Sequence, residues 1–289
     1  MTEDLQSANQ YTDRTSQAVR SVLVELGQIL GSYRGLFAVI GGAVPWLLLE
    51  ESEMKHVGTA DIDLSLNAEA LAEDAQYAEI VELLREQGYV AGEGLKKFQM
   101  SRTFDPGDGG PPITVVVDFL RPFDAVIVKN KPALTTDFAT QRAFGADLAT
   151  RFYEMVAIEG PMPGPGGGVN RVMIAVASIP ALLAMKGHAL DGRNKPKDAY
   201  DIYFSIRNFP GGIDALAAAC RPLLGEPSAI DGYAKIAGKF RSFEDFGPTS
   251  VRRFVEGSDI LDGRTPDEWQ QDAFGQVQAW LGALGIRPA

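Results

Sequence analysis

Asp61-Ile62-Asp63 is the sharpest chemical feature of this 289-residue chain. Alternate residues of a strand project to one side about 7 Å apart, so the two carboxylates share a face if Asp61 to Leu66, with its polar–apolar alternation, is a strand. Two neighbouring anions cost Coulomb energy unless a cation or hydrogen bonds compensate, and oxygen-only donors suit magnesium or manganese. Asp118 interrupts the β-branched, otherwise apolar run from Ile113 to Leu120. If that run is a strand beside the Asp61/Asp63 strand, three carboxylates can bind one or two divalent ions, with Asp118 placed to activate an attacking hydroxyl. The plainer readings stay open, since Asp-x-Asp is common in surface strands and Asp118 can point to solvent or accept backbone hydrogen bonds.

Gly41-Gly42 follows the short apolar run Leu36 to Ile40 and precedes the helix-compatible segment Ala43 to Glu50. A turn without side chains lets phosphate oxygens approach backbone N–H groups, although neither a Walker A loop nor a dinucleotide fingerprint is present. Thr59 is a hydroxyl donor for phosphate or a loop cap. Lys186, Arg193, Lys197, Asp198 and Asp201 form a second cluster. Its cations suit a triphosphate or a nucleic-acid backbone, while Lys197 and Asp201, four apart on a helix, equally suit an ordinary salt bridge. His188 reads as structural and His56 as a minor candidate for substrate contact. The two histidines and the single cysteine, Cys220, exclude a three-histidine centre, a cysteine-rich zinc site and an intrachain disulfide.

Helical spacing of Val19, Val22, Leu23, Leu26, Ile29 and Leu30 predicts an amphipathic helix over Gln17 to Leu30. A further helix is expected over Ala68 to Gln87, and strands near Tyr89 and over Ile113 to Leu120, Arg151 to Ile158 and Asn170 to Ala177. The glycine-rich stretch between the last two reads as a turn. From Ser178, a helix cap, the chain turns helical, with a break at Asp191 to Pro196, a helix from Lys197 to Asn208, and others including Ile213 to Leu224 and Trp269 to Leu284. The expected organisation is a domain over residues 1–175 and a helical domain over residues 176–289.

A 45% hydrophobic, 22% charged composition belongs to a globular chain. A formal charge of -11 argues against a protein that coats nucleic acid nonspecifically, without excluding a local basic pocket. No apolar run reaches membrane-spanning length and MTEDLQSANQ lacks the features of a signal peptide, so the expected location is the cytoplasm.

In order, Gly41-Gly42, Gly58-Thr59-Ala60-Asp61-Ile62-Asp63-Leu64, Asp118, Lys186, Arg193, Lys197-Asp198 and Asp201 resemble the nucleotidyltransferase superfamily, specifically its AbiEii-like toxin and abortive-infection group, over residues 36 to 206. The resemblance implies an α/β fold in which a mixed-sheet catalytic domain is joined to a C-terminal helical domain that completes the nucleotide and acceptor cleft. It implies an enzyme that transfers a nucleoside monophosphate from an NTP to an acceptor hydroxyl. By that match Gly41 and Gly42 approach the triphosphate, and Asp61, Asp63 and Asp118 hold magnesium, or manganese. Lys186 and Lys197 contact phosphate or acceptor, and Asp198 and Asp201 orient the second motif, with Arg193 beside them. The acceptor implied is the 3′ end of tRNA, the system a toxin with a cognate antitoxin protein, and no membrane is involved. Two departures are that many relatives have Gly-Ser at Gly41-Gly42, and several have Arg or Lys at Gly58-Thr59. Modification of an aminoglycoside-like small molecule and a non-catalytic interaction module are the competing readings.

Overall fold

Short β-branched runs and longer amphipathic runs segregate along the chain, and the structure, a computed structural model, follows that division. It describes residues 5–33, 35–67, 74–123, 140–164 and 167–286. Helix α1 (Asp13–Ile29) leads to β1 (Phe37–Ile40), α2 (Ala43–Leu48), β2 (Asp61–Leu66), α3 (Asp74–Glu86), β3 (Tyr89–Val90), β4 (Gln99–Phe104) and β5 (Ile113–Pro122). Then come β6 (Gln141–Ala143), α4 (Ala146–Arg151), β7 (Tyr153–Pro161) and β8 (Val169–Ala177). Six helices complete the chain: α5 (Ile179–Gly192), α6 (Pro196–Arg207), α7 (Gly212–Cys220), α8 (Pro227–Lys239), α9 (Phe246–Val255) and α10 (Pro266–Leu284).

The chain divides into two units, one containing Asp13–Ala43 and Thr59–Ala177, the other Thr2–Thr12, Val44–Gly58 and Ser178–Ala289. The first holds a mixed sheet in the order β3–β4–β5–β2–β1–β8–β7, with β6 added alongside β5. Strand β2 runs parallel to β5 and antiparallel to β1, which places it centrally. Its residues Ile62 and Leu64 are fully buried, as are Val115, Val117 and Phe119 of β5 in whole or nearly so. Helix α1 covers β7 and β8 and reaches β5 through the buried stripe Val19, Val22, Leu23 and Leu26. The expected third helix loses its first six residues, 68–73, which lie outside the described residues.

The second unit is helical. Ser178 caps α5 by accepting the Ala181 amide through Oγ (3.4 Å), with Pro180 in the first turn, where its missing N–H costs nothing. Thr265 and Glu268 cap α10 reciprocally. The helix expected over Ile213 to Leu224 ends instead at Cys220, followed by a tighter turn over Arg221–Gly225, because Pro222 cannot donate the next helical hydrogen bond. Among the described residues, no helix is long and apolar enough to cross a membrane.

Candidate active site

Strand register assembles the carboxylates. In β2 Asp61 and Asp63 are two residues apart and partly exposed, with the fully buried Ile62 between them on the opposite face. The parallel pairing of β2 with β5 sets Asp63 directly against Asp118 and Asp61 against Val116. Paired residues of neighbouring strands are about 4.8 Å apart and point the same way, so Asp63 and Asp118 stand side by side. On its other flank, Asp63 pairs with Ile40 of β1, the residue before Gly41. Gly41 has φ +70, and a Cβ there would collide with Asp63 Oδ2. Glycine at this position is therefore required twice, by the left-handed backbone and by the space the carboxylate occupies.

Two further residues hold the carboxylates in orientation. Thr59, 1% exposed, donates its hydroxyl to Asp61 Oδ1 at 3.0 Å. That contact turns Thr59 toward the acid pair rather than outward. Gln99 of β4, a residue the sequence did not single out, pairs in register with Asp118 and donates from Nε2 to Asp118 Oδ1 at 2.9 Å. Two like charges in adjacent register are unfavourable, and this amide offsets part of the cost. Among the described residues, no three acidic, imidazole or thiolate groups converge as a preformed metal cage.

In the second unit the expected cationic cluster is a buried network. Lys186 of α5 reaches Asp198 Oδ1 at 2.6 Å and Asp201 Oδ2 at 2.8 Å. Lys197 bonds Asp201 Oδ1 at 2.8 Å across one turn of α6, and Arg193 grips Asp198 through Nε (2.8 Å) and Nη2 (3.0 Å). Both aspartates are fully buried and both lysines nearly so. Burial alone would raise the aspartate pKa values, but Lys186 outweighs it, with Arg193 at Asp198 and Lys197 at Asp201, so both carboxyls titrate below their usual range. Burial likewise works against the Lys186 ammonium, yet Asp198 and Asp201 hold its pKa above normal. Lys197 goes the other way: burial prevails over Asp201, and Lys186 adds repulsion.

His56 completes this network. Its side chain is 2% exposed, Nε2 lies 3.0 Å from Asp201 Oδ1 and Nδ1 accepts the Gly58 amide at 3.1 Å. These partners specify the neutral tautomer with the proton on Nε2. Burial first and the Lys197 charge second push its pKa down to about 4. His188 is structural in setting, with Nε2 2.8 Å from the Ser228 carbonyl and Nδ1 3.1 Å from Lys235 Nζ. Cys220 is a fully buried core thiol whose pKa burial pushes up to about 11.

The chain matches the profile of a family described as "Nucleotidyl transferase AbiEii toxin, Type IV TA system" over residues 55–277. No curated protein matches it. A solved structure similar to it is that of JHP933 from Helicobacter pylori, at 9% identity and a TM-score of 0.42, covering 95% of this chain and 94% of that one.

Proposed function

The chain belongs to the AbiEii family of nucleotidyl transferase toxins, and from that premise we propose that it moves a nucleoside monophosphate from an NTP to an acceptor hydroxyl, the 3′ end of tRNA being the acceptor assigned. The observation that carries this reading is the register pairing of Asp63 with Asp118 beside Gly41, where a Cβ would collide with the Asp63 carboxylate.

An oxygen-only set of Asp61, Asp63 and Asp118 fits a hard divalent cation. Magnesium is commonly held by one or two carboxylates together with substrate phosphates, so a complete protein cage is not needed. When bound, the ion would supply neutralisation of the triphosphate charge. The remaining work falls to the protein. Gly41 and Gly42 leave backbone N–H groups approachable by phosphate oxygens. Asp118, its carboxylate oriented by Gln99, takes the proton of the acceptor hydroxyl. That oxygen then bonds to the α-phosphorus as the bond to the β-phosphate's bridging oxygen breaks, and pyrophosphate leaves. Thr59 keeps Asp61 in its rotamer. Lys186, Lys197, Arg193, Asp198 and Asp201 form a charge frame within the helical unit, and a phosphate contact by either lysine would require its carboxylate pairs to open.

The test is a magnesium-dependent transfer assay with each of the four α-labelled NTPs, offered total tRNA or a panel of aminoglycosides, with Asp63→Asn alongside. A labelled tRNA band from wild type and at least about a hundredfold less from D63N is expected, in line with removal of a charge-stabilising group. Equal turnover by D63N would remove the role assigned to Asp63, and label on the aminoglycosides alone would transfer the reading to small-molecule modification.

A further inference from the structure

Beyond Asp118, β5 ends in a feature the transfer chemistry does not use. Phe123 and Phe144 stack with ring centroids 3.9 Å apart and planes 14° from parallel. They nevertheless remain 38% and 48% exposed. Large rings that bury only each other leave apolar surface in water. The backbone fixes them in place, since β5 and β6 pair in parallel through Pro122 and Ala143, and the Phe123 amide donates to the Ala143 carbonyl at 3.1 Å.

Cations surround the stack. The same ladder sets Arg121 directly against Arg142, and the Arg142 guanidinium carbon lies 5.7 Å from the Phe123 ring centroid. Like charges in register oppose pairing unless an anion is nearby. Burial lowers the Arg121 pKa and the Arg142 charge lowers it further. In a chain of formal charge -11, two arginines brought together at the edge of an exposed aromatic stack form a local reversal of sign. Aromatic faces that accept bases, combined with guanidinium groups that accept phosphates, are the chemistry by which unpaired nucleic acid is held.

We infer that Phe123, Phe144, Arg121 and Arg142 form a docking platform for the unpaired bases and phosphates of a single-stranded RNA segment. Its identification as the acceptor's docking site rests on the transferase reading above; its affinity for RNA does not. Five residues of strand separate Phe123 from Asp118, roughly 16 Å at about 3.3 Å per residue. RNA seated there is held several nucleotides from its reacting end.

The experiment is fluorescence anisotropy of a short labelled single-stranded RNA, without NTP or magnesium, against wild type, Phe144→Leu, Phe144→Trp and Arg142→Gln. Loss of the π face in F144L should weaken binding by about tenfold or more, while F144W, which keeps a face, stays within a few-fold of wild type. R142Q should reduce the slope of log affinity against log salt by about one. A duplex RNA of the same length should bind more weakly than the single strand. Wild-type affinity and salt slope in both F144L and R142Q, with melting temperatures unchanged, would overturn the platform. So would a change in self-association rather than RNA affinity, which would make this face an interface between copies. The transfer assay separates the two readings. Loss of RNA binding in F144L with no label transferred by wild type keeps the platform and removes the transferase reading. Normal labelling and binding by F144L does the reverse.

Discussion

Gln99 is held from two sides: its Oε1 accepts the Lys96 amide at 3.0 Å, and its Nε2 donates to Asp118 Oδ1 at 2.9 Å. A hydrogen bond to the charged form of a carboxyl lowers its pKa, so removing this donor should raise that of Asp118. Gln99→Leu is therefore expected to lower the transfer rate by about 10- to 100-fold and to move the acidic limb of the kcat/KM profile to higher pH. A rate loss without movement of that limb would make Gln99 a packing residue only. The contrast between Gln99 and the aspartates shows what residue types alone disclose. Asp61 and Asp63 were legible because a period of two places both on one face, and Asp118 because a carboxylate in an apolar run needs a partner. Gln99 gave no such signal, since its importance comes from lying opposite Asp118 in the β4–β5 register. His56 was visible as a residue, but its tie to Asp201, 145 positions away, was not.

Elements with strong local punctuation were read closely. Helix α5 begins at its serine cap and ends at the glycine-containing break before α6, as the sequence suggests. Strands β4 and β6 escaped notice for physical reasons. The run Gln99–Phe104 carries polar side chains at alternate and adjacent positions, and one of them, Arg102, is paired with the buried Glu25 of α1 at 3.1 Å. Its burial comes from a long-range charge pair that no hydrophobic period records. Strand β6 has three residues, too few for any period. The α5–α8 crossing is similarly invisible as a pattern but demanding in space. A Cβ on Gly187 would collide with the carbonyl of Gly232, and a Cβ on Gly232 with the carbonyl of Ala184. Backbone atoms cannot rotate aside as side chains do, so Gly187→Ala must push the helices apart. Overpacking of this kind costs about 1–3 kcal/mol, occasionally more. A reduced urea midpoint for the helical unit is expected, whereas unchanged stability in G187A would mean the crossing yields without strain. Because Lys186 precedes Gly187 on α5, the displaced helix should also disturb the Lys186–Asp198 pair.

Across the whole molecule, the division into a mixed-sheet unit and a helical unit was legible from the change of texture near Ser178, whereas the assignment of Val44–Gly58 to the helical unit was not. Local sequence carries no mark of it, because that segment is tied in by contacts such as His56 with Asp201. This buried tie makes stability depend on pH. His56 titrates near 6.5 when unfolded and at about 4 when folded, so between those values only the unfolded chain takes up the proton. Protonation in the folded state would cost the Gly58 amide its acceptor at Nδ1 and add a cation beside Lys197. Stability is thus complete above about pH 6.5 and falls as pH drops toward 4, by about 2 kcal/mol between pH 7 and 5 at about 1.4 kcal/mol per pH unit. Asp198 and Asp201, depressed below their usual 3.8, keep their contribution throughout that interval and lose it only at lower pH, so the interval isolates the imidazole. All three tryptophans, Trp46, Trp269 and Trp280, belong to the helical unit, which makes intrinsic fluorescence a direct probe of its unfolding. Urea titrations followed in this way should show wild type losing about 2 kcal/mol from pH 7 to pH 5 and His56→Gln, which keeps a donor for Asp201 but does not titrate, losing much less. The same loss in both proteins would place the acid sensitivity outside His56.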